Sequence, residues 1–237
     1  TLEEYPEQNL PDGSVLGFDG RVIHGRLGEE LARRLGPRQI SLAYGEDLVG
    51  EIWENRPPLP ANPVWILEEQ YAGQSAASKL EELRSAMKEM HATVHILTTL
   101  DDIVWLLNIR GGDIPCNPVV LSYLAVTGEQ AYLFINREAV PEPVAEYLAG
   151  LGVTLRPYGE IYSYGKTLRG ESVLLEKGKV NYTILQSLDA SNQVIDRMNP
   201  TVLKKACKNP VQIANMKAAH VRDGVALTKF IYWMKHN

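Results

Sequence analysis

Arg110 and Asp113 are the two side chains whose types and spacing best suit ligand chemistry. They stand in Asn108-Ile109-Arg110-Gly111-Gly112-Asp113-Ile114-Pro115-Cys116-Asn117-Pro118, a polar loop with paired glycines and two prolines. A cation and a carboxylate at the mouth of a buried strand can hold a polar ligand, because ligands of open α/β sheets gather at strand ends. The plainer use is structural: the two pair with each other or cap loop amides, as charges on loops commonly do.

Other reactive side chains are less organised. His91 and His95 are four apart, a chelating interval on a helix, but 92–98 reads as a strand. No third ligand stands at a useful spacing and no HExxH occurs, so the two histidines are read as unrelated. His220 falls on an apolar helical stripe beside Asp223, where a core histidine bonded to a carbonyl or carboxylate is expected. The run from Gly159 to Lys166-Thr167 ends like a phosphate loop. One residue too many separates Gly159 from Gly165, and Ile161, Tyr162 and Tyr164 fill the cradle. We expect a surface helix there, with its tyrosines against a sheet, rather than a nucleotide site. Cys116 has no histidine near it in sequence to act as a base, so a structural thiol is expected. Trp53, Trp65, Trp105 and Trp233 are scattered and suit packing.

The elements that must position these groups follow from pattern. Thr99 with Asp102 resembles a capping start for a helix carrying Ile103, Leu106 and Leu107 on one face. Asn108 ends it, since Asn tolerates a left-handed conformation. Gly111 and Gly112 are expected to take backbone angles that side chains forbid. Pro118 keeps the loop out of a ladder, and 119–126 reads as a strand buried on both faces. A short link then gives an antiparallel hairpin with 131–136. Further helices are expected at 2–9, with Thr1 and Glu4 as a capping box, and at 25–35, 75–90, 143–151, 160–168 and 181–187. Strands are expected at 15–18, 40–43, 92–98, 153–155, 172–175 and 193–195, with 64–67 a short extended piece. The segment 46–63 reads as one helical turn and then a proline-rich extended stretch. Strands alternating with helices, plus the hairpin, specify an α/β fold: a mixed sheet with helices on both faces. Asn209-Pro210 opens a last helix of about 25 residues, or ~38 Å at 1.5 Å per residue. Its stripe of Ile213, Met216, His220, Leu227, Ile231 and Met234 needs a partner surface.

The chain has 237 residues, 45% of them hydrophobic, with 24 Lys and Arg against 29 Asp and Glu. The net charge of −5 gives no bulk field for a polyanion, so no nucleic-acid partner is expected. No apolar run reaches the ~18 residues of a membrane span, so no membrane partner is expected either. Cys116 and Cys207 match no zinc or redox spacing, which fits a reducing cytoplasm. The chain opens on Thr1 without an initiator Met, which leads us to expect a piece of a longer protein.

Leu106-Leu107-Asn108-Ile109-Arg110-Gly111, then Asp113, Asn117-Pro118-Val119-Val120 and Ser122-Tyr123-Leu124, resembles the middle domain of three-domain aminopeptidase P, the Xaa-Pro aminopeptidases. Lys208-Asn209-Pro210-Val211, Met216, Ala218-Ala219-His220 and Arg222-Asp223-Gly224-Val225-Ala226-Leu227 resembles the start of that family's catalytic domain. The resemblance implies a creatinase N-terminal-like domain at 9–205, after an end of a preceding unit at 1–8. Residues 206–237 would then be a connector and the first helix of a truncated pita-bread domain. It implies a parent that hydrolyses the N-terminal residue preceding proline with two divalent ions, usually manganese. The family's metal ligands all match positions beyond Asn237, so no metal, no catalytic residue and no peptidase activity are expected of this segment. Arg110, Asp113 and Asn117 would wall the substrate cleft. The implied partners are short peptides with proline second, the catalytic domain, and a second copy in a parental homodimer. A non-catalytic peptide- or protein-binding module on the same scaffold is the alternative.

Overall fold

Residues 3–237 are described by a computed structural model; Thr1, and with it the expected capping box, lies outside them. The chain begins with helix α1 (Glu4–Asn9), strand β1 (Val15–Gly17), α2 (Gly25–Leu35) and β2 (Ser41–Ala43). β1 and β2 pair in parallel, with α2 as the crossover. A short α3 (Leu48–Ile52) precedes the proline-rich stretch, which has no regular structure until β3 (Trp65–Ile66). There follow α4 (Glu69–Ala72), α5 (Ala76–Glu89), β4 (Val94–Leu97), α6 (Leu100–Leu106), β5 (Ile109–Arg110), β6 (Ser122–Thr127) and β7 (Ala131–Ile135). Next come α7 (Glu142–Gly150), β8 (Val153–Pro157), α8 (Ile161–Gly165), β9 (Ser172–Leu175), α9 (Tyr182–Ser187) and β10 (Gln193–Asp196). The chain closes with α10 (Thr201–Ala206) and α11 (Pro210–His236).

Among the described residues the main sheet has six strands in the order β10-β9-β4-β6-β7-β8. β6 runs antiparallel to β4 and β7, while the other neighbours are parallel, so the sheet is mixed. Period-two alternation sends its side chains into two cores. Leu97, Leu124, Val126 and Leu133 meet Leu80 and Leu83 of α5, Ile103 and Leu106 of α6 and Leu148 of α7 on one face. Val94, Ile96, Ala125 and Phe134 meet Ile161 of α8 and Ile184 of α9 on the other. Helices therefore cover both faces, as the sequence predicts. Helix α2 packs on α9 so closely that a Cβ at Gly28 would lie 2.1 Å from the Tyr182 ring.

Several local expectations need correction. The strand expected at 119 starts at Ser122, because Asp113 intercepts the preceding backbone: its carboxylate accepts the Leu121 N–H at 2.8 Å. Thr99 makes no side-chain cap; its hydroxyl donates to the Asp102 carboxylate instead. Gly111 and Gly112 do not have positive φ; Asn108 (φ 50°) and Cys116 (φ 61°) do. Gly111 is required by closeness, since a Cβ there would stand 2.8 Å from Val120 Cβ. Helices α4 and α10 were not anticipated, each too short for a periodic stripe to show.

The last helix is capped as expected. Asn209 accepts the Gln212 N–H, and Gln212 accepts the Asn209 N–H in return. Its first turns are bolted to α4: Asn209 Nδ2 donates to Ala72 O at 2.8 Å, and Asn215 Nδ2 to Gln70 O at 3.1 Å. Beyond them α11, 27 residues long, buries no residue. His220 is exposed rather than a core histidine, because nothing packs on that part of the stripe among the described residues.

Candidate functional site

Helix α6 is the base of the site, and its two ends are held differently. At the N-terminal end Lys205 of α10 lies 2.7 Å from the buried Asp102 carboxylate and also pairs with Asp101. Burial opposes the Lys205 charge, yet the two carboxylates outweigh it and raise its pKa. Acidic residues in a first turn also suit the positive end of the helix dipole. Lys204 adds an ion pair to Glu82 of α5.

At the C-terminal end cations meet carbonyls. Lys79 of α5 is 3% exposed; its ammonium donates to Trp105 O at 2.9 Å and to Asn108 Oδ1 at 2.6 Å. It also sits 4.3 Å from the centroid of the Trp105 ring. Burial, with help from the Arg110 charge, pushes the Lys79 pKa down to about 8. Asn108 closes the arrangement by donating from Nδ2 to Gln74 O at 2.8 Å. Its left-handed backbone turns the chain into β5, where Arg110 pairs with Trp65. Arg110 Nη1 then reaches back to Val104 O at 2.9 Å and to Ile109 O at 2.7 Å. Burial lowers the Arg110 pKa. Lysine and arginine at a helix C-terminus bind its free carbonyls and favour its dipole. Lys79 could have been found in the sequence: it lies on the apolar stripe of α5, between Ala76 and Leu83.

The loop that follows is held by Asp113, whose other oxygen accepts Asn62 N at 3.3 Å and Asn62 Nδ2 at 3.4 Å. Asp113 thus caps amides and does not pair with Arg110. Arg110 and Asn117 are brought together on one groove of about 360 Å³ running between α6, the 117–119 loop and the start of α11. Trp105, Tyr71, Lys208 and Asn215 line it too, while Asp113 lies off it. The groove is at the small end of ligand pockets, which span ~300–1,000 Å³.

The remaining candidates do not gather. His95 is buried, with Nδ1 2.9 Å from Leu174 O and Nε2 3.2 Å from Asn199 Oδ1, while His91 is exposed at a left-handed turn. Within 159–167 the α-helix is only the short α8 (Ile161–Gly165), with Tyr164 against Tyr132 and Phe134 on the sheet, as expected. Cys116 and Cys207 are free and exposed. Among the described residues no group of three or more His, Cys, Asp or Glu is placed to hold a metal ion. No helix among them is long and apolar enough to cross a membrane.

Residues 55–212 match the Creatinase/Prolidase N-terminal domain. The chain belongs to that family. Its similarity to Xaa-Pro aminopeptidases reaches well past those residues. Xaa-Pro aminopeptidase app-1 of Caenorhabditis elegans is 33% identical over 245 residues, which cover 99% of this chain and 39% of the relative. The probable Xaa-Pro aminopeptidase P of Colletotrichum graminicola is 31% identical over 251 residues, with 99% and 40% covered. The chain therefore spans about two fifths of the length of the curated relatives it matches. A crystal structure of the C. elegans X-prolyl aminopeptidase, described as a cytosolic enzyme with a di-nuclear active site, superposes with a TM-score of 0.90 at 31% identity. It covers 99% of this chain and 39% of that one. The described side chains do not fit a di-nuclear centre: no three metal-ligating groups converge among them, and both nitrogens of His95 face protein oxygens.

Proposed function

We propose that residues 9–205 are the non-catalytic middle domain of a metal-dependent Xaa-Pro aminopeptidase, which removes an N-terminal residue preceding proline. Residues 206–237 are then a connector and the first helix of its pita-bread catalytic domain, and 1–8 the end of a preceding unit. The observation that carries this reading is the similarity to Xaa-Pro aminopeptidases over 99% of the chain but only 39% of the C. elegans protein. The exposed apolar side chains of α11, such as Val221 (67% exposed) and Trp233 (59%), suit a helix that packs on further protein.

In this reading the segment contributes shape. Arg110 and Asn117 wall the cleft for short peptides with proline second, and Asp113 fixes the loop that carries Asn117. Two divalent ions, manganese in kind, would supply Lewis-acid activation of water in the catalytic domain. A cytoplasmic setting agrees with the description of the C. elegans enzyme, and the parent pairs as a homodimer outside this segment. The test is release of the first residue from an X-Pro-Pro peptide with added manganese. The 237-residue chain alone should release none, and a chain extended through the following domain should do so until a chelator is added. Release by the 237 residues alone would overturn the assignment.

A further inference from the structure

We propose that the groove beside Arg110 is a carboxylate subsite, which takes an anionic group borne by a peptide; this rests on the reading of Arg110 and Asn117 as a cleft wall. The argument begins with an unsatisfied cation. Arg110 is half-buried and its hydrogen bonds all leave from Nη1 to carbonyl oxygens. Nε and Nη2 make no hydrogen bond among the described residues, and Arg110 lines the groove. A desolvated guanidinium normally finds a carboxylate, because two parallel N–H donors match its oxygens. None is supplied here among the described residues.

The lining adds a second cation: its charged residues are Arg110, Lys205, Lys208 and Asp101, and Lys205 is closed on Asp101 and Asp102, which leaves Arg110 and Lys208 without a carboxylate among the described residues. Lys208 donates only to a backbone carbonyl, that of Lys205. Asn117 is exposed and its side-chain amide makes no hydrogen bond among the described residues. Trp105, Tyr71 and Met216 give the rest of the groove an apolar wall. Cationic donors and apolar surface lining one groove suit a carboxylate carried on a small apolar body. That description fits a peptide's terminal carboxylate or an acidic side chain, and disfavours the amide or a basic residue. The chain as a whole is acidic, with net charge −5, so the groove is a local exception rather than part of a general basic surface.

The probes are the tripeptide Ala-Pro-Ala as free acid, the same peptide as C-terminal amide, and Ala-Pro-Glu amide. Binding to the 237-residue chain is followed by amide chemical-shift titration of residues 104–120 and 205–216. The free acid should bind at least about tenfold tighter than Ala-Pro-Ala amide, with the difference shrinking as salt is raised. Arg110→Gln should abolish the difference. Because that variant also loses bonds to α6, Lys208→Gln at an exposed position is the second probe, and it should reduce the preference about threefold. Equal preference for Ala-Pro-Glu amide would show that the subsite takes a side-chain carboxylate as well as a terminal one, and preference for it over the free acid would place the source in a side chain. Equal binding of acid and both amides at this groove would overturn the subsite and leave the peptide-wall reading standing. Binding of none of them there would overturn both.

Discussion

The two ends of helix α6 are held by opposite chemistry. At the first turn a buried carboxylate, Asp102, is matched by the ammonium of Lys205, and the charges close on each other. At the last turn Lys79 and Arg110 bring two cations to carbonyl oxygens, and among the described residues no carboxylate pairs with either. The closed end locks α10, and through it the start of α11, onto the sheet domain. The open end leaves positive charge looking into a groove. A neutralised pair is a fastening; a cation without its anion is a place for something else.

The comparison breaks first at the closed end. Asp102→Ala removes a carboxylate that is 2% exposed and strands Lys205 with only its exposed partner, Asp101. It also takes the acceptor from the Thr99 hydroxyl. Removing one member of a buried pair costs several kcal/mol; partial access of Lys205 to water reduces this to about 3 kcal/mol here. Urea unfolding should show a loss of that size, and hydrogen exchange should show faster opening of α10 than of α5. Unchanged protection in α10 would mean the fastening lies elsewhere.

The open end is sharpened by pH. Lys79 falls from an ordinary lysine value of 10.5 in the unfolded chain to about 8 in the fold, through burial first and the Arg110 charge second. Between those values the unfolded chain holds a proton that the fold has released. Stability therefore rises with pH across that window, by about 1–2 kcal/mol, and is flat in this term below it. Lys79→Met should flatten the rise, measured by urea midpoints from pH 7 to 10.5. A slope that survives the substitution would locate the titrating group outside this end of α6.

Much of this contrast could be anticipated from the residues, and the remainder shows what spacing does not encode. The nearly unbroken apolar run at 119–126 specifies a strand buried on both faces, and the structure puts Leu124 and Ala125 into different cores. Asn108 was legible as the stop of α6 because few residues accept a left-handed backbone. The position of Asp113 in its loop was legible, but not that it would bind Leu121 and Asn62, one of them far away in sequence. The partners of Lys79 depend on how α5 packs on α6, a tertiary fact that no local pattern carries, whereas those of Arg110 lie within six residues of it. The wall from Tyr71 and Asn215 arises because α11 docks on α4, and α4 is too short to have announced itself.

The weakest fastening gives the finest test of the closed end. Lys204 and Glu82 form an ion pair whose side chains are 42% and 41% exposed. Exposed pairs contribute ~0–1 kcal/mol, since water screens the attraction and two long side chains lose freedom. Lys204→Gln should therefore lower stability by no more than about 0.5 kcal/mol, and salt should erase the difference. Lys205 sits one residue along on the same short helix but meets a buried carboxylate. If Lys204→Gln matched Asp102→Ala in its effect, burial would not be what separates the two pairs. α10 would then be held by net charge alone rather than by the sealed contact at Asp102.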